Sequence, residues 1–249
     1  FYKAAIREAE LIGNVLENDL ATNPLTDIDN IDTIYFGGGT PSLPDGGLIC
    51  SLLDAIRKVF NIASDAEITI EVNPSSVTAE KLSEYRQAGF NRISLGVQSL
   101  DDEVLKTLGR LHDSKGALDA IAKIKEAGFT NISADLITGV PGETLEGIKN
   151  DIKTFCDLGV KHISTYSLML EEGTAFYNKY SKTIEDYISP ETEREMYHGT
   201  REYLSSLGYE TYEISNSAMP GFKSIHNRAY WNQCEYFAIG AGAHGFIGD

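Results

Sequence analysis

Four β-rich segments of the sequence end in glycines or single polar residues whose types suit the binding of a small zwitterionic ligand. The turn at Gly37–Thr40 offers backbone N–H donors to a carboxylate, with no Cβ to block its approach. Glu71 would take a cationic or hydroxyl group and Asp135 another donor, while Gln98 adds an amide. Together these groups suit a ligand that carries an ammonium, a carboxylate and a ribose.

Taken one at a time, each of these motifs also has a purely structural interpretation. The glycine turn is then a sharp strand-to-helix connection, Glu71 a solvated acid, and Gln98 and Asp135 turn formers or helix caps. The turn lacks the lysine of a phosphate-binding loop and the G-x-G-x-x-G spacing of a dinucleotide fold. The functional interpretation therefore rests on the joint pattern at four successive strand ends.

The elements that would position these residues are marked by a recurring phrase, in which a glycine ends a helix and a β-rich run follows. The phrase occurs at Gly89, Gly128 and Gly159, and more loosely at Gly208. Consecutive βα units imply a parallel sheet, open or closed as a barrel, with function at the carboxyl ends of its strands. The predicted strands are 31–36, 67–72, 92–97, 131–137, 161–168 and 209–214.

Composition excludes several classes of protein. The 249 residues carry a formal net charge of −16, which argues against a nucleic-acid partner because clustered Lys and Arg are missing. No uninterrupted apolar run approaches the roughly 18 to 20 residues that span a bilayer. Cys50, Cys156 and Cys234 are too widely spaced for a disulfide framework or a metal site, so we predict small, partly buried residues and a cytoplasmic protein.

The strand-end segments also carry a family resemblance. In order, spacing and identity they resemble the oxygen-independent coproporphyrinogen III oxidase family of radical S-adenosylmethionine (SAM) enzymes. The resemblance is strongest to the HemW-type haem chaperone branch, and it implies an α/β fold, a partial (β/α)6 TIM-like barrel that here lacks its first strand and cluster loop. The segments are Gly37–Ser42, Glu71–Pro74, Asn91–Ser99, Leu108–Arg110, Asp135–Gly142, Tyr209–Asn216, Pro220–Gly221, His226–Trp231 and Gly240–Gly245.

The same resemblance implies roles for individual residues. The methionine part of SAM would contact Gly38, Gly39 and Thr40. Five further residues would complete the SAM site, with Met169 at a position where the residue type varies: Glu71, Gln98, Arg110, Asp135 and Met169.

One of the five histidines, His226, lies in a motif that bears on which branch of the family the sequence resembles. His226 lies in a His-Asn-x-x-Tyr-Trp motif beside the only tryptophan, and in the chaperone branch this motif is associated with haem. A neutral imidazole is a suitable axial ligand for haem iron. The alternative is that His226 and Trp231 pin the C-terminal segment onto the barrel. The remaining histidines are interpreted as structural or exposed: His112, His162, His198 and His244.

The family binds a [4Fe–4S] cluster through a C-x-x-x-C-x-x-C motif that this sequence does not contain. We expect that motif upstream of Phe1 in a longer protein, with residues 1–175 as the partial barrel and 176–249 as a truncated C-terminal extension. The resemblance implies SAM, the cluster and haem or porphyrin as cofactors and ligands, a haem-acceptor protein as partner, and haem chaperone function. The alternatives are a coproporphyrinogen III dehydrogenase, a cluster-free haem-binding protein and an unrelated βα-barrel enzyme.

Overall fold

Helices and strands alternate through most of the chain. The structure is a computed structural model that describes residues 1–18 and 30–247. The strands are β1 Ile31–Phe36, β2 Ile62–Val72, β3 Arg92–Gln98, β4 Asn131–Thr138, β5 His162–Ser167, β6 Glu210–Thr211 and β7 Asn216–Ala218. The helices are α1 Tyr2–Asn18, α2 Gly46–Val59, α3 Ala79–Ala88, α4 Asp102–Thr107, α5 Ser114–Glu126, α6 Leu145–Asp157, α7 Ala175–Tyr180, α8 Ile184–Tyr187, α9 Pro190–Ser206 and α10 Ile225–Trp231.

These seven strands form one curled sheet in the order β1-β2-β3-β4-β5-β7-β6. The first five are parallel and successive, so their carboxyl ends meet at one edge. The predicted α/β fold with consecutive parallel strands is therefore confirmed.

Alternation along the central strands gives the sheet two different faces. One face is apolar and packs against the helices; on β2 and β3 it consists of Ile68, Ile70, Val72, Ile93, Leu95 and Val97. The opposite, inner face is polar; on the same strands it consists of Glu67, Thr69, Glu71, Arg92 and Ser94. The hydrophobic core thus lies outside the curled sheet, and polar groups fill its interior.

All four glycines of the recurring phrase have left-handed backbone angles. Gly89, Gly128, Gly159 and Gly208 have φ values of 98°, 87°, 77° and 89°. This conformation costs glycine little and ends each helix so that the chain turns into the next element. The predicted helix ends are confirmed.

Within residues 1–18 and 30–247, no helix has both the length and the apolarity needed to cross a membrane.

The last predicted strand is wrong in extent, and β7 lies between it and β5. Only Glu210–Thr211 of residues 209–214 is extended in the sheet, because the chain bends where the Ser215 amide donates to the Glu213 carboxylate at 3.0 Å. The chain then returns as β7, which pairs antiparallel with both β5 and β6. The predicted C-terminal extension adds these strands to the same sheet, and its treatment as a separate unit stays a prediction.

Candidate functional site

The glycine turn after β1 is held by a carboxylate from β2. The Gly38 amide donates to Glu71 Oε2 at 3.0 Å, and the Tyr35 hydroxyl donates to Glu71 Oε1 at 2.7 Å. Gly38 and Gly39 have φ values of +80° and +58°, where other residues are strained. Among the described residues no atom lies within 4 Å of a Cβ built on either glycine. The backbone of the turn is therefore open to a ligand.

Backbone strain marks the end of β3. Gln98 has a φ of 74°, which is uncommon for a residue other than glycine, and the pairing with β4 is irregular between Leu95 and Gln98. A Cβ on Gly96 would lie 3.0 Å from Gln98 Nε2, so this glycine leaves room for the glutamine side chain. Strain of this kind persists where surrounding contacts enforce it and is concentrated at functional sites.

Asp135 on β4 is the second carboxylate near the glycine turn. It is partly buried, and the Ser94 hydroxyl donates to its oxygens at 3.3 and 3.4 Å. Burial raises the pKa of Asp135 to about 6, and the charge of Glu71 acts in the same direction. The Ser164 and Ser94 hydroxyls and the Arg92 charge oppose that rise. Asp135 is therefore a carboxylate at neutral pH that is easily protonated below it.

Arg110 lies in the loop that follows α4. It is partly buried, and burial lowers the pKa of its guanidinium. Arg110 takes part in none of the ion pairs found within residues 1–18 and 30–247. Two residues on, His112 donates its Nε2–H to the Val97 carbonyl at 2.9 Å, which fixes this loop beside the end of β3. Met169 lies in the loop after β5 and is 80% exposed.

His226 lies against the inner face of β1. Its Nδ1 is 2.9 Å from Thr33 Oγ1, and its Nε2 is 2.7 Å from the Tyr230 hydroxyl. Its ring stacks on Tyr35, with centroids 4.9 Å apart and planes 17° apart. Burial, assisted by the charge of Arg92, lowers the pKa of His226 to about 4. The imidazole is thus neutral near pH 7, pins α10 to β1, and would have to release Tyr230 before its Nε2 could bind iron.

Another histidine, His162, is a satisfied core residue, as the sequence predicts. Its Nδ1 is 2.7 Å from the Ser133 hydroxyl and its Nε2 is 2.7 Å from the Tyr212 hydroxyl. Burial lowers the pKa of His162 well below its usual range, so the ring is neutral. This network fills the barrel interior beside β5.

Sequence reasoning missed a buried ion pair inside the barrel. Arg92 is 1% exposed, and its Nε lies 3.9 Å from Glu67 Oε2. The same carboxylate accepts hydrogen bonds from the Ser224 hydroxyl at 3.1 Å and from the Ile225 and His226 amides at 3.2 Å. Glu67 thus caps the N-terminus of α10. The available signal was that charged residues recur at alternate positions in otherwise apolar strands.

The comparison with protein families shows the superfamily to which the chain belongs. The family model described as "Radical SAM superfamily" matches residues 18–155, which is more than half of the chain. The chain belongs to the radical SAM superfamily. Membership implies SAM and a [4Fe–4S] cluster as the cofactors of the group.

Curated relatives and one solved structure indicate which members of the radical SAM superfamily this chain is similar to. "Heme chaperone HemW" of Bacillus subtilis (strain 168) is 40% identical over 237 residues, which cover 94% of this chain and 62% of that protein. The protein of the same name from Escherichia coli (strain K12) is 37% identical and is covered to 64%. The chain therefore spans less than two thirds of the length of these relatives.

The solved structure described as "Coproporphyrinogen III oxidase (HemN) from Escherichia coli is a Radical SAM enzyme" superposes on 98% of this chain. The TM-score is 0.76, the identity is 26%, and 59% of the HemN chain is covered. The partial barrel of the radical SAM type that the sequence predicts is therefore confirmed.

The described residues suit one radical SAM cofactor and not the other. The open glycine backbone and the Glu71 and Asp135 carboxylates offer the donors and negative charges that a molecule with a carboxylate, an ammonium and a sulfonium requires. For the cluster, residues 1–18 and 30–247 contain no group of three or more His, Cys, Asp or Glu side chains placed to hold a metal. The three cysteines are unpaired and far apart in sequence.

We expect Asp135→Asn to remove a pH-dependent loss of stability. The folded-state pKa of about 6 exceeds the usual 3.8, so the folded protein binds the proton more tightly than the unfolded chain. Stability from this group is complete below pH 3.8 and is lost as the pH rises through 6. The free energy of unfolding of Asp135→Asn, relative to that of wild type, should therefore rise by about 2 kcal/mol from pH 4 to pH 7.

Equilibrium urea unfolding at both pH values measures this gain. Asp119→Asn, on an exposed site of α5, is the matched control and should show no such difference. Parallel pH profiles for wild type and Asp135→Asn would contradict the raised pKa of Asp135.

Proposed function

We propose that this chain is the SAM-binding barrel of a haem chaperone of the HemW type. The observation that carries the proposal is that relatives named "Heme chaperone HemW" match 94% and 95% of the chain at 40% and 37% identity. The geometry at the strand ends supports the SAM-binding part, and the His226 motif supports the haem-binding part. The chain covers only 62% and 64% of these two relatives. Delivery of haem to an acceptor protein, which is an activity of the whole protein, is therefore also a proposal.

In this proposal the SAM carboxylate binds Arg110 and the Gly39–Thr40 part of the glycine turn, because the Gly38 amide already donates to Glu71. The Gly38 and Gly39 backbone and Thr40 line the turn, and Arg110 supplies a planar donor fork without an ion-pair partner of its own in the described residues. Two parallel N–H donors of a guanidinium can bind both oxygens of a carboxylate, which fixes the orientation of the carboxylate as well as its position. Bound SAM supplies the radical chemistry of the superfamily.

The positive groups of SAM face the carboxylates of the barrel interior. Glu67, Glu71 and Asp135 carry three negative charges against the single positive charge of Arg92, so the interior favours a cationic ligand. Gln98, held in a strained conformation at the end of β3, supplies an amide to the ribose or the adenine. Met169, exposed at the rim, completes the site as a contact of low specificity.

Haem binds at the C-terminal segment in this proposal. The His226 imidazole is neutral at physiological pH, and the adjacent Tyr230 and Trp231 are exposed aromatic residues, with Trp231 56% exposed. Release of the Tyr230 hydroxyl frees His226 Nε2 for the iron.

The free cysteines agree with a reducing compartment, and we assign the protein to the cytoplasm on that ground.

A second candidate is coproporphyrinogen III dehydrogenase activity, in which propionate side chains are oxidatively decarboxylated. The observation in its favour is the superposition on HemN, which covers nearly the whole chain. Turnover of coproporphyrinogen III by the longer protein would select this candidate over the chaperone.

We expect the purified chain to bind haemin with a defined Soret band, and His226→Ala to weaken binding by about tenfold, which corresponds to 1.4 kcal/mol. Absorbance titration measures both. Tyr230→Phe is the matched control, because it removes the hydroxyl that occupies Nε2 and leaves the imidazole available. Affinity in Tyr230→Phe should equal or exceed that of wild type. An unchanged spectrum and affinity in His226→Ala would refute the haem-ligand assignment.

A further inference from the structure

A continuous series of contacts joins the C-terminal helix α10 to the glycine turn after β1. We propose that His226 and Tyr35 are positioning residues of the SAM site, through which α10 holds Glu71 and the Gly38 amide in place. The inference rests on the proposed binding of SAM at this turn. It gives the His-Asn-x-x-Tyr-Trp segment a role that is separate from haem ligation.

The first contact fixes α10 in the barrel. Glu67 accepts the Ser224 hydroxyl and the first two amides of the helix, at 3.1 to 3.2 Å. Ser224 is fully buried and also caps α10 by accepting the Asn227 amide at 3.2 Å. Because Glu67 belongs to β2 and pairs with Arg92 of β3, the start of α10 is attached to the central strands.

The second contact passes from α10 to Tyr35. Thr33 and Tyr230 each hold one ring nitrogen of His226, so the imidazole cannot rotate without losing a hydrogen bond. The ring lies nearly parallel to that of Tyr35, which is the next inward-facing residue on β1 after Thr33. His226 therefore limits the movement of Tyr35 on the side that faces the barrel interior.

The third contact passes from Tyr35 to the turn itself. The Tyr35 ring lies so close to Gly37 that a Cβ there would be 2.6 Å from Tyr35 Cε1. Its hydroxyl donates to one oxygen of Glu71, whose other oxygen accepts the Gly38 amide. Burial raises the pKa of Tyr35, so the hydroxyl keeps its proton and remains a donor. A displaced Tyr35 ring would thus move both the carboxylate and the turn.

These contacts hold the side chains and the turn in place before a ligand binds. Such preorganisation improves affinity, because fewer side-chain and loop motions are lost on binding. Loss of the Tyr35 hydroxyl in Tyr35→Phe should raise the Kd for SAM about tenfold. Loss of the stacked ring in His226→Ala should raise it about fivefold. His226→Phe retains a ring against Tyr35 and should recover most of the affinity.

Isothermal titration calorimetry with SAM, run beside thermal unfolding of each variant, tests the proposal. If His226 acts through Tyr35, His226→Ala should raise the Kd by less than about twofold in a Tyr35→Ala background, because the hydroxyl on Glu71 and the ring against Gly37 are both already absent. A residue that only stabilises the fold would change the melting temperature and leave the Kd unaltered. Ile225→Ala, on the exposed side of the same helix, is the control and should bind SAM as wild type does.

The outcomes separate this inference from the proposed function. A wild-type chain that does not bind SAM would overturn the proposed SAM site and this inference together. A wild-type chain that binds SAM, with His226→Ala within twofold of it or equally impaired in the Tyr35→Ala background, would overturn the inference alone. Tyr35→Phe keeps the test decisive if His226→Ala does not fold, since unaltered affinity in that variant contradicts the third contact.

Discussion

Replacing Glu67 by alanine should lower the free energy of unfolding by about 3 to 5 kcal/mol, the range observed when one partner of a buried ion pair is removed. Arg92, whose side chain is 2% exposed, would be left in the barrel without its carboxylate. The Ser224 hydroxyl and two amides of α10 would lose their acceptor at the same time. Equilibrium urea unfolding followed by circular dichroism measures the loss.

Two comparisons isolate the buried charge from the loss of a helix cap. Asp113 also caps a helix with a carboxylate, accepting the Gly116 amide at 2.7 Å, but it is exposed. Asp113→Ala should therefore cost only about 1 kcal/mol. Adding Arg92→Met to Glu67→Ala should restore part of the stability, because no unpaired cation remains. A loss in Glu67→Ala no larger than that in Asp113→Ala would contradict a buried pair of this strength.

The first five strands could be predicted from the sequence because their signals are local. A glycine that ends a helix must adopt a left-handed angle at its own position, and apolar alternation depends only on neighbouring residues. The β6 strand follows only the looser copy of this pattern at Gly208, and β7 follows none. The position of β7 depends on contacts with β5, such as the Thr165 amide on the Ser215 carbonyl, so its antiparallel direction could not be read locally.

The same distinction applies to the site. Glu71, Gln98 and Asp135 could be grouped from the sequence because parallel strands bring their carboxyl ends to one edge. The contact between His226 and Thr33 joins residues 193 positions apart, and no spacing along the chain predicts which strand α10 meets. Tyr35, which connects the two groups, was missed because it reads as an ordinary aromatic residue of a strand.

Glu71 connects the predicted part of the site to the part that the structure added. It receives the Gly38 amide on one oxygen and the Tyr35 hydroxyl on the other, so both oxygens of the carboxylate are used as acceptors. A glutamine has only one acceptor oxygen, and its NH2 group would face one of these two donors. The charge that attracts a cationic ligand would also be lost. Size is conserved in this substitution, so its effect reports chemistry rather than packing.

Glu71→Gln should therefore raise the Kd for SAM about 100-fold, since hydrogen bonds to charged groups contribute roughly 1.5 to 3 kcal/mol. Calorimetric titration with SAM measures the change. Glu143→Gln is the matched control, because Glu143 also accepts two turn amides, from Gly139 at 2.8 Å and Val140 at 3.3 Å. Burial raises the pKa of Glu143 to about 8, so a neutral glutamine resembles the form present near pH 7 and should bind SAM with little change. Equal affinities in Glu71→Gln and Glu143→Gln would show that the carboxylate at the glycine turn does not recognise SAM.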